Sequence, residues 1–136
     1  MNTAPPLLLT QRIVQVCLFL IAAIAISGGI VQMYLGQPDT TPRLDNIHRF
    51  MAGVYLSAGV LGWWAGITIR HHRMLPYFLA LMAFMGGLGR IVSISYVGIP
   101  EPVGLWIGYL VPELLLPCII VAAQVATNRK IAQITS

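Results

Sequence analysis

The stretch LPYFLALMAFMGGLGRIVSISYV, Leu75–Val97, decides the fold. It is an apolar run broken by a single charge, Arg90. A helix needs about 20 such residues to cross about 30 Å of hydrocarbon, and this run suffices. Three more apolar runs resemble it, from about Ile13 to Leu35, about Phe50 to Ile69 and about Val103 to Ala126. The first two carry no charge, and the last carries only Glu113. In lipid every backbone N–H and C=O must be satisfied inside the element, so these runs are read as helices. A barrel would need alternating polarity in strands of about 10 residues, a pattern not found here. The expected fold is an all-α integral membrane protein, a four-transmembrane-helix up-down bundle forming one domain over residues 1–136.

Composition agrees. Only 9% of the 136 residues are charged and 57% are hydrophobic, with a mean hydropathy of +0.80. A soluble domain carries roughly 25% charged residues, so a globular protein with a polar surface is excluded. The net charge of +4 is spread over loops and ends. No basic stripe or aromatic platform accompanies it, so nucleic-acid binding is not supported. Cys17 and Cys118 fall in apolar runs, and no spacing suggests zinc, a redox pair or a disulfide framework. His71 and His72 are adjacent in a turn and His48 lies across the membrane, so they cannot jointly clamp a haem. The sequence names no cofactor.

Arg12, the first apolar run and Ala23-Ile24-Ala25 spell a nominal signal-peptide cleavage site. The run continues well past that site, so a retained helix is expected. The connections are short: Gly36–Asn46, Arg70-His71-His72-Arg73 and Gly98-Ile99-Pro100-Glu101-Pro102. Short connections make consecutive helices antiparallel neighbours. Arg12, Arg70, Arg73, Arg129 and Lys130 collect on one side, against Arg43 and Arg49 on the other. The positive-inside rule then puts both termini in the cytoplasm. Asp39 and Glu101 then face the periplasm or exterior.

Arg90 and Glu113 are the charges that fall at bilayer depth. Such charges are costly, and they usually face a partner, a cavity or a functional path. Helix rise places Arg90 about 10 Å, and Glu113 about 15 Å, below the outer ends of their helices. The two helices are joined by a short loop, so an Arg90–Glu113 ion pair is expected. Pro112 and Pro117 deprive the carbonyls of Gly108 and Glu113 of their regular helix donors. Tyr109 lies one turn before Glu113 on the same face. Asp45 and Arg49 are spaced to pair at the outer start of the second helix. They serve there as cap and anchor, or else Arg49 turns inward to join the deep pair. Trp63, Trp64 and Trp106 fit interfacial anchoring. Small residues mark expected helix contacts: Ala58, Gly62 and Gly66, then Gly86 with Gly87 and Gly89, then Gly104 and Gly108. The alternative for those faces is contact with a second copy or with a partner in a larger membrane complex.

Several pieces in order carry a resemblance. They are Leu44-Asp45-Asn46-Ile47-His48-Arg49-Phe50 with Gly53 and Tyr55, then Phe84-Met85-Gly86-Gly87-Leu88-Gly89-Arg90, then Gly98-Ile99-Pro100 and Glu113. Over nearly its whole length the chain resembles a domain-of-unknown-function family of small four-helix bacterial membrane proteins. The resemblance implies the bundle and a shared polar set of Asp45, Asn46, Arg49, Arg90 and Glu113. It implies no activity.

Three functional classes are compatible with these residues. One is a non-enzymatic accessory or scaffold subunit, or a binder of a lipid or small amphiphile whose anionic or polar head Arg90 attracts. Another is a small oligomeric transporter or proton-linked channel using Glu113 and the Pro-broken helix. A membrane enzyme acting on lipid is the least supported, since no nucleophile–base pair or carboxylate dyad is present.

Overall fold

The computed structural model describes residues 6–135. Its elements are α1 (Leu9–Leu35), α2 (Pro42–Ile67), a 3₁₀ turn (Ile69–His71), α3 (Leu75–Val97) and α4 (Val103–Thr135). Each of the four α-helices is long and apolar enough to cross a membrane. The protein is thus an all-helical, multi-pass membrane protein.

Three helices outrun their apolar segments, and α1 already begins at Leu9 rather than near Ile13. The second starts at Pro42 rather than near Phe50 because Thr41 caps it. The Thr41 side chain accepts from the Leu44 N–H, and proline occupies the first helical position. The fourth continues past Ala126 to Thr135. There Thr127 donates to Thr10 at 2.7 Å and Asn128 donates to the Tyr77 hydroxyl at 3.3 Å. These bonds carry the helix beyond its hydrophobic limit and bring the start of α1 beside the end of α4. Gln124, nearby, donates to the carbonyls of His72 and Arg73. The start of α1, the end of α4 and the α2–α3 turn therefore share one end of the bundle, the end that holds Arg12, Arg70, Arg73, Arg129 and Lys130.

The packing order is α2–α1–α4–α3, with α2 and α3 touching only sparsely. This departs from the expectation that all consecutive helices pack closely. The reason lies in where the glycines point. Gly59, Gly62 and Gly66 of α2 are buried against α1. A Cβ on Gly59 would come within 2.9 Å of the Ile26 backbone nitrogen. Gly29 of α1 is as tight, 3.0 Å from the Ala52 carbonyl oxygen. In α3 the buried glycine is Gly87, and it faces α4, where a Cβ would lie 2.8 Å from Leu114. Each helix has spent its close-approach face on another partner, so α2 and α3 stand apart.

Other glycines do not pack within the chain. An added Cβ at Gly86, Gly89, Gly104 or Gly108 meets nothing within 4 Å. No atom of the described residues thus packs closely on Gly86, Gly104 or Gly108.

The buried core lies toward the basic end. Val14, Cys17 and Leu18 of α1 meet Ala65 and Ile69, Leu79 and Ala80, and Ile120 and Ala123. All four transmembrane segments are thus gathered at that end. Toward the opposite end, α2 and α3 leave a cleft between them.

Candidate functional site

Arg90 and Glu113 meet. The guanidinium donates from Nε to Glu113 Oε2 at 2.7 Å and from Nη2 to Oε1 at 3.2 Å. This two-point arrangement is the strongest form of carboxylate recognition by arginine. It forms because Gly87, one turn before Arg90, lets α3 pack directly on the Leu114 and Glu113 side chains of α4. The Glu113 side chain is 7% exposed, against 25% for Arg90. The carboxylate is thus the deeper member.

A third helix contributes. Tyr55 of α2 donates its hydroxyl hydrogen to Glu113 Oε1 at 2.9 Å. This bond links α2 to α4 across the cleft. In the sequence Tyr55 stands only among the pieces that carry the resemblance, not in the polar set. Its position on the same face of α2 as Gly59 and Gly62 was the signal that it points inward.

Aromatic rings complete the surroundings of Arg90. Its guanidinium carbon lies 5.5 Å from the Tyr109 ring centre and 5.6 Å from that of Trp106. Both distances suit cation–π attraction. Trp106 also donates from its indole nitrogen to the Glu101 carbonyl at 3.3 Å. Trp106 therefore does more than anchor the interface. Its spacing from Tyr109 and Glu113, three and seven residues, puts all three on one face of α4.

Asp45, Asn46 and Arg49 stand elsewhere. Arg49 pairs with Asp45 at 2.9 Å and also donates to the Met33 carbonyl, tying the start of α2 to the end of α1. It does not turn inward toward Arg90. Asp45 lies in the first turn of α2, where its charge suits the helix dipole, but the capping oxygen belongs to Thr41. Asn46 is exposed.

The cleft between α2 and α3 has a volume of about 360 Å³. That is within the range of about 300–1,000 Å³ typical of small-molecule sites. Met51, Val54 and Ala58 line it from α2, and Met82, Met85 and Gly86 from α3, while α1 forms its floor. Tyr55, Glu113 and Pro112 also face it. Arg90, Trp106 and Tyr109 are not among its lining residues. Among the described residues, no three His, Cys, Asp or Glu side chains gather where they could hold a metal ion.

This arrangement can seat an apolar chain with one polar terminus. It offers no activated nucleophile. No curated protein and no solved structure matches the chain significantly. Residues 10–124 match the family model for a domain of unknown function (DUF4345), and the chain belongs to that family.

Proposed function

We propose that this protein is a non-enzymatic component of the bacterial cytoplasmic membrane that binds a lipid-like amphiphile in the α2–α3 cleft. The observation that carries the reading is the cleft itself. It is an apolar gap between two membrane-spanning helices, and one buried carboxylate network lies on its wall. A chain could enter sideways from the bilayer, since α2 and α3 make few contacts that would bar it. Arg90 holds Glu113 in place, and Tyr55 ties the network to α2. The Lys and Arg distribution supports an orientation with the basic end in the cytoplasm. The polar network then lies toward the outer leaflet.

Gly86 allows a direct test. It lines the cleft, and a Cβ there meets no atom within 4 Å. Gly86→Leu should fill the cleft without displacing a helix. Gly108→Leu is the control, since Gly108 also has open space but does not line the cleft. After gentle extraction, native mass spectrometry should find a small guest on the wild type and on Gly108→Leu, and none on Gly86→Leu. A guest retained equally by Gly86→Leu would refute the cleft as its site. A bare wild type that co-purifies with other membrane proteins would favour a scaffold role instead.

A further inference from the structure

Hydrogen accounting on the cleft wall indicates which head group the guest carries; this inference rests on the cleft reading above. The polar side chains facing the cleft are Tyr55 and Glu113. Tyr55 has one hydroxyl hydrogen, and it is given to Glu113 Oε1. An ionised glutamate has only acceptors. Arg90 spends two N–H groups on Glu113, also reaches the Tyr55 hydroxyl oxygen, and does not line the cleft, so its donors are turned to the network and not to a guest. What the two residues can offer a guest is the remaining acceptor capacity of their oxygens.

An acceptor-only wall is selective. A guest ending in an ester, an ether or a ketone brings more acceptors and finds no donor. An anionic guest meets a carboxylate whose counter-charge sits on the far side. A guest ending in O–H satisfies both itself and the wall. The charges of Arg90 and Glu113 cancel formally, so a neutral guest suits the site. Of an anionic or a polar head, this accounting favours the polar one.

We infer that the cleft takes a neutral amphiphile ending in a hydrogen-bond donor, a long-chain alcohol in chemical class, because Tyr55 and Glu113 present only acceptors to an otherwise apolar gap. A bond left unmade in such surroundings weakens binding by about tenfold or more.

The test uses three probes with one chain: oleyl alcohol, its methyl ether and oleate. The full-length protein is held in lipid nanodiscs, and binding is titrated by native mass spectrometry. The alcohol should bind about tenfold or more tightly than the ether, and oleate should bind most weakly. Gly86→Leu should lose all three. If alcohol and ether bind equally, or oleate binds best, while Gly86→Leu abolishes binding, the cleft stands and the donor-bearing head is overturned. If the wild type binds none of them, or Gly86→Leu binds as the wild type does, the cleft reading falls and this inference falls with it.

Discussion

Replacing Arg90 by methionine and Glu113 by glutamine, singly and together, measures how strongly three helices are tied at the site. Arg90→Met removes charge-assisted hydrogen bonds of 2.7 and 3.2 Å. Hydrogen bonds to charged groups contribute about 1.5–3 kcal/mol each. The change also strands a carboxylate whose side chain is 7% exposed. Breaking a buried pair from one side costs about 3–5 kcal/mol, so a loss of about 4 kcal/mol is expected. Glu113→Gln keeps the side-chain shape and one carbonyl acceptor. The Arg90 side chain it leaves behind is 25% exposed. Arg90 also lies only about 10 Å from the helix end, so it can tilt toward the polar interface. A loss of about 2 kcal/mol is expected for that variant. The double variant should cost about 2 kcal/mol less than the sum, within the range seen for residues in direct contact. Unfolding by titration with sodium dodecyl sulfate in mixed micelles supplies the free energies. Trp106, beside Arg90, gives a fluorescent reporter at the site. Additivity to within about 0.5 kcal/mol would show that the two residues are not coupled. A greater loss from Glu113→Gln than from Arg90→Met would refute the assignment of the carboxylate as the deeper, less hydrated member.

Further outcomes follow from the same geometry. Tyr55→Phe removes one interhelical hydrogen bond and should cost about 0.6 kcal/mol, with a ceiling near 1.7 kcal/mol; a loss equal to that of Arg90→Met would mean that Tyr55 carries more than that bond. Gly29→Ala should destabilise by about 1–3 kcal/mol, because the new Cβ would sit 2.8 Å from the Leu56 Cβ and 3.0 Å from the Ala52 carbonyl oxygen. Gly108→Ala meets open space and should stabilise α4 by about 0.5–1 kcal/mol; equal effects from the two glycine variants in the same titration would undo the packing account. Reporters active on one membrane side, fused to the C-terminus and to the Gly98–Pro102 loop, should report opposite sides, with the C-terminus cytoplasmic. A periplasmic C-terminus would reverse the proposed orientation.

The helices were legible because bilayer chemistry leaves few alternatives. An apolar run of that length must satisfy its own backbone, and only a helix does so locally. Leu75–Val97 was read with its observed bounds. The ends of α2 and α4 were misjudged for one reason. Hydropathy marks where lipid ends, whereas helices end where caps and packing allow, at Thr41 for one and past Thr127 for the other. The juxtaposition of Arg90 and Glu113 was also legible, since two costly charges on loop-connected helices have strong reason to meet.

The sequence by itself determined that this is a four-helix membrane protein with a charged pair at bilayer depth. Those features follow from local composition, helix rise and short loops. Only the tertiary structure decided which glycines pack and which stand open. A glycine stripe says that a backbone can approach, not which partner takes the face. Gly59, Gly62 and Gly66 went to α1, and Gly87 went to α4. That choice parted α2 from α3, opened the cleft and brought Tyr55 onto Glu113 from a helix that is distant from it in the chain. No local signal encodes such a gap, because it arises from how two pairs of helices share their contacts.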